Sequence, residues 1–339
     1  MSWDQAPADH DWQRLVDSLR SARSVLLIAH VSPDGDALGS AVAAGLAMRQ
    51  LGIPAVVSFD GEPFELPLSL NWMPGDSVLS APADIPAELD VAISFDAGSL
   101  DRLGALADKA ASAELFAALD HHRSFTGFAD ICLVDVAAPA TAVLALELVD
   151  RLGAEVTAPI AACLYVGLTT DTGSFRFAGT TAATHRMAAR LHEAGIAHDQ
   201  IARAVFDSQP YAAIQLAGLA ISRSQLLPDA AGGLGVVSSW VSHEDRVAAG
   251  LPLDAAEPII DALRTANEAE VAVVLKEGDD SVWRVSTRSK GQMDVGAVCS
   301  GLGGGGHRFA AGYSSAKQPQ EILRELLAAL AEQASASAG

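Results

Sequence analysis

The sequence predicts an α/β protein of two domains: a first domain with a mainly parallel sheet flanked by helices, and a second, smaller α/β domain. From Ser24 to Asp135, short apolar runs bounded by turns alternate with helix-like stretches, a pattern typical of parallel sheets with helices on both faces. The length of 339 residues agrees with about two domains of roughly 100–200 residues each. Half of the residues are hydrophobic and only 5% are aromatic, so we expect cores of small and aliphatic side chains.

Each element of the first domain follows from a local pattern. The clearest helix is Ala37–Leu51, which is rich in Ala, Leu and Met, contains no proline and is followed by Gly52. The predicted strands are Val25–Ala29, Ala55–Phe59, Val91–Phe95, Leu115–Leu119 and Ile131–Val134. The further predicted helices are Thr141–Leu152, Pro159–Leu168, Thr181–Ala194 and Ile201–Val205.

A second series of elements is expected to begin near Gln209–Ala220. Its predicted elements are strands Gly235–Val241, Glu270–Leu275 and Val282–Thr287, a helix over Ala255–Ala266, a glycine-rich turn and a last helix, Gln320–Gln333. We assign the first domain to residues 12–195 and the second to residues 214–334, joined by a linker over residues 196–213 that we expect to be helical. We expect the tail Ala334–Gly339 to be disordered.

Composition narrows the possible partners. Long nucleic acids are bound largely by Lys and Arg, so a net charge of −20 argues against long DNA or RNA as a ligand. No apolar run approaches the roughly 20 residues that span a bilayer, and the N-terminus lacks the order of a signal peptide. We therefore expect a cytoplasmic protein without a membrane partner. Three scattered cysteines, Cys132, Cys163 and Cys299, favour reduced, structural thiols.

Four segments of the first domain end an apolar run with acidic or histidine side chains. Carboxyl ends of parallel strands lie at one edge of an α/β sheet, so residues that follow Ala29, Phe95 and Leu119 should converge there. A single Asp after a strand is more often a turn or N-cap residue, but four such segments make a shared site the better interpretation. The candidate residues are His30, Asp34, Asp36, Asp96, Asp120, His121, His122 and Asp171.

Carboxylates and imidazoles without thiolates fit a fairly hard divalent ion, and Mn²⁺ fits them better than Zn²⁺ or Ca²⁺. The set is too large for one ion, whereas two ions about 3.5–4 Å apart would use it economically. Such a pair lowers the pKa of a water between them and polarises a phosphoryl oxygen. We also expect the N-terminus of the Ala37 helix to add a positive potential near a phosphate.

These motifs resemble those of DHH phosphoesterases, a superfamily that includes RecJ exonucleases, family II inorganic pyrophosphatases and nano-RNase/pAp phosphatases. In the first domain the resemblance rests on HVSPDGDALGS, the Asp96 segment, the DHH triplet at residues 120–122 and TDTGSF at residues 170–175. The segments VSTRSKG (Val285–Gly291) and GLGGGGHRFAAGY (Gly301–Tyr313) resemble the DHH-associated domain. The resemblance covers residues 20–330 and is greatest to the short two-domain members, some of which also hydrolyse cyclic di-AMP.

The resemblance implies a role for each residue of the first domain. One ion would be bound by His30, Asp34 and Asp96, and the other by Asp36, Asp96, His121 and Asp171, so that Asp96 bridges the two. Asp120 would accept a hydrogen bond from the ring of His121. His122 would contact the substrate phosphate and help to protonate the leaving group.

In the second domain, the resemblance implies substrate binding by Arg288, Ser289, the glycine segment and His307. Arg288 offers a bidentate fork to a phosphate, and Gly304, Gly305 and Gly306 would let backbone amides approach the nucleotide. The chain departs from the family at two positions: Phe125 replaces a frequent Asn, and Ala140 stands beside Thr141 where many relatives have a Ser/Thr pair.

The residues favour a metal-dependent hydrolase, and the resemblance implies that it releases mononucleotides from short RNA, pAp and cyclic di-AMP or pApA. The resemblance also implies a homodimer. An inorganic pyrophosphatase is the main enzymatic alternative, although GLGGGGH counts against it. A non-catalytic nucleotide sensor is a second alternative, and an RNA-binding or editing module is a third. The complete ligand set argues against the sensor.

Overall fold

The computed structural model describes residue 3 and residues 5–337. The chain divides into two compact units, with the division between Ser208 and Gln209. Each unit has its own sheet. The predicted α/β fold class is confirmed.

The first unit is built on five parallel strands in the order β2-β1-β3-β4-β5. The strands are β1 (Val25–Ala29), β2 (Ala55–Ser58), β3 (Val91–Phe95), β4 (Leu115–Asp120) and β5 (Ile131–Val134). The helices are α1 (Asp9–Ser21), α2 (Gly35–Gln50), α3 (Ala107–Ala111), α4 (Thr141–Leu152), α5 (Ala158–Asp171), α6 (Ala182–Glu193) and α7 (His198–Phe206). Two short 3-10 helices, Pro82–Asp84 and Leu100–Leu106, lie between the strands.

Both faces of this sheet are covered, which explains why its strands are continuously apolar. Alternate residues of β1, such as Leu27, pack with α1, α2, α4 and α5 in the larger core. The residues between them, such as Leu26, pack on the opposite face with side chains of the 3-10 helix Leu100–Leu106 and of α3. Small buried side chains on α2, such as Ala41 and Ala44, belong to the larger core.

Helices α2 and α5 are in close contact at Gly39. A Cβ atom built at Gly39 would lie 2.4 Å from the carbonyl oxygen of Cys163 on α5. Backbone rather than a flexible side chain occupies that space, so a larger residue would push the two helices apart. This contact matters for the site because both helices contribute carboxylates to it.

The second unit has a six-stranded mixed sheet in the order β10-β11-β9-β8-β7-β6, in which only β7 and β8 are parallel. The strands are β6 (Gln225–Leu227), β7 (Val236–Val241), β8 (Val271–Glu277), β9 (Trp283–Ser289), β10 (Gly305–His307) and β11 (Ala310–Ser315). The helices are α8 (Tyr211–Ser222), α9 (Ala230–Gly233), α10 (His243–Ala249), α11 (Ile259–Leu263), α12 (Val295–Gly301) and α13 (Pro319–Ser337), with a 3-10 helix at Leu253–Ala256.

One face of this sheet packs on α12 and α13, and the β7–β8 part of the other face packs on α8 and α11. Strand β9 alternates strictly between buried and half-buried residues. Its buried residues face α12 and α13, whereas Arg284, Ser286 and Arg288 lie on the less covered face. The strand therefore separates structural side chains from those that can reach a ligand.

Three details differ from the sequence prediction. The helix predicted over Ala255–Ala266 is interrupted, because Pro258 lacks an amide hydrogen and separates the 3-10 helix from α11. The prediction of a disordered tail is wrong for residues 334–337, which continue α13, with Ala334 packed against the core; residues 338–339 lie outside the described part of the chain. Within the linker, α7 ends at Phe206 and α8 starts after Pro210.

In the part of the chain that the structure describes, no helix combines the length and the apolar character needed to cross a membrane.

Substitution of Gly39 by alanine tests the close approach of α2 and α5. We expect Gly39→Ala to lower the free energy of unfolding by about 1–3 kcal/mol, because the added methyl group meets a backbone carbonyl. Gly218 in α8 is the matched control, since a Cβ there meets no atom within 4 Å. Gly218→Ala should stabilise the protein by about 0.5–1 kcal/mol. Urea unfolding followed by tryptophan fluorescence measures both, and equal effects would contradict the packing argument.

Candidate metal centre

The carboxyl edge of the first sheet carries most of the predicted ligands. His30 follows β1 directly, Asp96 follows β3, and Asp120 is the last residue of β4. These strands are neighbours in register, so the residues that follow them emerge side by side. The convergence expected from the sequence is therefore present.

Two helices bring the remaining carboxylates to this edge. Asp34 is the N-cap of α2, and its Oδ1 accepts hydrogen bonds from the amides of Asp36 and Ala37, both at 3.0 Å. Asp36 is fully buried in the first turn of α2, and Asp171 is the last residue of α5. Because the first amides of α2 already bond to a carboxylate, this helix end offers a phosphate less positive potential than we expected.

His121 is the centre of one group of ligands. Its Nε2 lies 3.0 Å from Oδ2 of Asp171, 3.3 Å from Oδ1 of Asp96 and 3.8 Å from Oδ2 of Asp36. His121, Asp36 and Asp96 are buried, and Asp171 is half-buried. Three carboxylates thus surround one imidazole nitrogen.

His30 is the centre of a second group. Its Nε2 lies 3.7 Å from Oδ2 of Asp34 and 3.9 Å from Oδ2 of Asp96. Asp96 therefore turns Oδ1 toward His121 and Oδ2 toward His30. A carboxylate arranged in this way can serve two ions at once.

The donor atoms fit divalent ions. Two ligands at right angles on an ion with bonds of about 2.1 Å are about 3 Å apart, and tetrahedral ligands are slightly farther apart. The separations in the His121 group range from 3.0 to 3.8 Å, so small side-chain movements suffice for coordination. Oxygen and imidazole donors without thiolates are the set preferred by hard to intermediate ions such as Mn²⁺.

Hydrogen bonds to backbone carbonyls orient both imidazoles. Nδ1 of His121 lies 3.0 Å from the oxygen of Ala138, and Nδ1 of His30 lies 2.8 Å from the oxygen of Val31. A carbonyl can only accept, so each Nδ1 carries the hydrogen and each Nε2 can offer its lone pair to an ion. Arg102 also lies 3.0 Å from Nδ1 of His30, but two donors cannot share a hydrogen bond, so we assign the bond to Val31.

The charges of the cluster depend on each other. Burial disfavours the imidazolium of His121, but its interactions with Asp171 and Asp96 outweigh burial and hold the pKa of His121 well above its usual value. Burial, together with repulsion from Asp96 and Asp171, raises the pKa of Asp36 well above its usual value. In the metal-free protein, the crowded carboxylates are thus partly neutralised by protons.

Asp120 contacts a different histidine from the one that the resemblance implied. Its Oδ1 accepts hydrogen bonds from the backbone amide of His122 at 2.6 Å and from Nδ1 of His122 at 2.8 Å. The prediction that Asp120 orients His121 is therefore wrong, because the carbonyl of Ala138 occupies that position. Burial lowers the pKa of His122, but Asp120 and Asp96 outweigh it, so the pKa of His122 lies above its usual value.

The backbone of Asp96 is in the left-handed region, with φ of 60°. A non-glycine residue adopts this conformation at a cost of the order of 1 kcal/mol, which the surrounding structure must offset. Such strain is concentrated at functional sites. The conformation directs the carboxylate of Asp96 between the two histidine groups.

In the second unit, Arg288 and His307 share one face of the sheet. Ala310 pairs with Arg288 on one side and with His307 on the other, and directly paired residues project from the same face. Ser289 points to the opposite face, where its buried hydroxyl donates to Oε1 of Glu270 at 2.7 Å. The structure therefore does not bring Ser289 to the face that carries Arg288 and His307.

The predicted glycine segment is ordered, since Gly305 and Gly306 lie in β10 beside β11. Gly306 has φ of 135°, and a Cβ there would lie 2.6 Å from the carbonyl oxygen of Ala310. Only glycine fits this conformation and this spacing. Gly304 precedes β10, so the three glycines lead directly to His307.

Sequence reasoning missed two kinds of contact. Ala138 and Val31 orient the histidines through backbone carbonyls, and a carbonyl has no signal in the sequence. Thr141 donates from its hydroxyl to Oδ1 of Asp96 at 2.8 Å. In the sequence, Thr141 stood out only because its neighbour Ala140 departs from the family. The contact with Asp96 joins residues 45 positions apart, so no local pattern indicates it.

The fold and the site together define a two-domain phosphoesterase, and sequence comparison agrees. The chain matches the DHH family, N-terminal domain, over residues 24–168 and the DHHA1 domain over residues 236–336. It is 30% identical over 320 residues to the bifunctional oligoribonuclease and PAP phosphatase NrnA of Thermus thermophilus, a match that covers 91% of this chain and 90% of that protein. The chain belongs to the DHH family of phosphoesterases.

Other relatives extend this comparison. A protein of Bacillus subtilis with the same name, bifunctional oligoribonuclease and PAP phosphatase NrnA, is 23% identical over 317 residues, which cover 92% of this chain and 96% of the relative. The crystal structure of an exopolyphosphatase-related protein from Bacteroides fragilis aligns with a TM-score of 0.86 at 22% identity and covers 98% of both chains. At that identity, the structural likeness establishes a common fold.

The raised pKa of His121 predicts that divalent ions displace protons. Coordination needs the lone pair of Nε2, so the affinity for Mn²⁺ should fall as the pH is lowered from about 8 to about 6. Calorimetric titration in buffers of different ionisation enthalpy should detect proton release, with less release in His121→Gln. His243→Gln, which lies in the second unit, is the control. Equal binding enthalpies in all buffers would contradict coordination by His121.

Proposed function

We propose that this phosphoesterase hydrolyses short oligoribonucleotides and small nucleotides such as pAp and cyclic di-AMP, with release of mononucleotides. The observation that carries the proposal is the carboxylate of Asp96, which directs one oxygen toward the His30 group and the other toward the His121 group. The names of the relatives from Thermus and Bacillus, oligoribonuclease and PAP phosphatase, support these substrates.

Two divalent ions, most readily Mn²⁺, are proposed for the two groups. His30, Asp34 and Asp96 would bind one ion, and Asp36, Asp96, His121 and Asp171 would bind the other. When bound, such a pair supplies an activated water and stabilises negative charge on the phosphoryl group. No serine or cysteine nucleophile is then required, which agrees with the burial of Cys163 and its pKa, raised by burial to about 12.

His122 is proposed to contact the substrate phosphate and to protonate the leaving oxygen. Asp120 favours this role in two ways. Its hydrogen bonds fix the orientation of the ring, and its negative charge favours the protonated form of His122. A histidine that carries a proton near neutral pH is a suitable general acid.

The second unit is proposed to recognise the nucleotide through Arg288, the glycine segment and His307. Arg288 and His307 lie on the same sheet face, two strands apart, which supports a common ligand for the two side chains. A net charge of −20 agrees with a short substrate, because a long nucleic acid would be repelled. Domains over residues 12–195 and 214–334, a linker over residues 196–213, a cytoplasmic location and a homodimer remain predictions.

A hydrolysis panel tests the proposed reaction. The substrates are pApA, pAp, cyclic di-AMP, a 24-mer RNA and pyrophosphate, each with Mn²⁺ and with EDTA. We expect Mn²⁺-dependent release of AMP from the adenine nucleotides and little cleavage of the 24-mer. Asp96→Asn should reduce turnover to background because it removes the shared carboxylate, whereas the control Asp108→Asn, on the exposed surface of α3, should not.

The other outcomes of this panel separate the alternatives. Cleavage of pyrophosphate alone would assign the protein to the pyrophosphatase branch. Tight nucleotide binding without turnover would indicate a sensor. Near-normal turnover by Asp96→Asn would reject the shared-carboxylate site.

Arg288 and Ser289 are neighbours in the sequence, but we expect Arg288→Ala to change substrate binding and Ser289→Ala to change stability. Arg288→Ala should raise KM for nucleotides with little change in stability, because its half-buried guanidinium lies on the open face. Ser289→Ala should leave KM unchanged and lower the free energy of unfolding by about 1–3 kcal/mol, because the carboxylate of Glu270 loses a buried donor. Steady-state kinetics and urea unfolding measure both, and an unchanged KM in Arg288→Ala would remove Arg288 from the site.

A further inference from the structure

The first turn of α4 contacts two candidate ligands that come from different elements. The amide of Thr141 donates to Oδ2 of Asp36 at 2.5 Å, and the amide of Ala142 donates to Oδ1 of Asp36 at 2.8 Å. The hydroxyl of Thr141 donates to Oδ1 of Asp96 at 2.8 Å. One residue of α4 therefore bonds to both carboxylates.

Asp36 takes the place of an N-cap residue for α4. The N-cap residue of α4 is Ala140, whose side chain has no atom that can accept a hydrogen bond from the first amides of the helix. Asp36 accepts from these amides instead, although it lies 105 positions earlier in the chain. The positive end of α4 thus points at the carboxylates, where negative charge is most crowded.

The hydroxyl of Thr141 restricts the carboxylate of Asp96. Thr141 and Asp96 are both buried, so water does not compete for this bond. A threonine hydroxyl has one hydrogen, and here it is directed to Oδ1, the oxygen nearest to His121. The bond opposes rotation of the carboxylate and so keeps Oδ2 directed toward His30.

We propose that Thr141 is a positioning residue of the metal centre, which holds Asp96 in the orientation that serves both histidine groups. This inference rests on the proposed two-ion function. Thr141 binds no ion in this scheme and acts through Asp96 and Asp36. Without its hydroxyl, the carboxylate of Asp96 rotates more freely, and each ion is bound less tightly.

A purely structural role for the hydroxyl gives a different expectation. In that case, loss of the hydroxyl would weaken the start of α4 and lower stability, with no selective effect on ion binding. The two roles are separated by measuring ion affinity and stability on the same variants. Thr169 provides a matched control, since its buried hydroxyl bonds only to carbonyl oxygens of its own helix, α5.

The test is calorimetric titration of Mn²⁺ into the EDTA-treated full-length chain and its variants. Thr141→Val keeps the shape and the backbone amide but removes the hydroxyl, and should weaken Mn²⁺ binding by about 10–100-fold. Thr141→Ser should bind nearly as well as the wild type, and Thr169→Val should match the wild type. Urea unfolding of the metal-free proteins should give a lower midpoint for Thr141→Val than for Thr169→Val, because the buried carboxylate of Asp96 loses a donor, so Mn²⁺ affinity is compared under conditions in which every variant is folded. If Thr141→Val does not fold, Thr141→Ala tests the same hydroxyl.

The outcomes distinguish this inference from the function on which it rests. Wild-type affinity in Thr141→Val, or equal losses in the Val and Ser variants, would overturn the positioning role and leave the metal centre intact. Absence of Mn²⁺ binding by the wild type would overturn both proposals. Restored affinity in Thr141→Ser together with loss in Thr141→Val is the result that the hydroxyl bond to Asp96 requires.

Discussion

Repulsion between buried carboxylates is the constraint that shapes the first unit. Asp36 and Asp96 are almost fully buried at one sheet edge, and two unit charges 4 Å apart repel by about 4 kcal/mol at an effective dielectric constant of 20. The fold offsets this cost with imidazoles, with a proton that Asp36 retains because burial and repulsion raise its pKa, and with the amides of α4. The same carboxylates and imidazoles offer oxygen and nitrogen donors that a divalent cation can bind.

Strands and helices both contribute to the cluster of carboxylates and imidazoles at the edge of the first sheet. Parallel strands bring His30, Asp96 and Asp120 side by side, while α2 and α5 add Asp36 and Asp171. Helices α2 and α5, which carry these two carboxylates, are in close contact at Gly39. Helix α4 then bonds to carboxylates from both a strand end and a helix. The geometry of the candidate site and the packing of the core therefore depend on the same contacts.

Polar side chains are arranged differently in the two units. In the first unit, His121 contacts Asp96 and Asp171, Asp120 bonds to His122 and Thr141 bonds to Asp96, so the site is a connected network whose members have coupled charges. In the second, β9 places Arg288 on an open face and Ser289 in a buried bond to Glu270. Adjacent residues of one motif thus have different functions because a strand alternates its side chains.

The sequence by itself determined the α/β class, the five parallel strands and the convergence of His30, Asp96 and Asp120 at one sheet edge, because apolar periodicity and polar residues at strand ends are local signals. It did not determine the break at Pro258 in an otherwise helical pattern, or the continuation of α13 past Ala334, where packing on the core adds to weak helix propensity. Only the tertiary structure decided that Asp120 bonds to His122, that Ser289 faces inward and that the hydroxyl of Thr141 bonds to Asp96. These contacts depend on strand register and on helices placed side by side, and distances between residues remote in sequence are set only when the chain has folded.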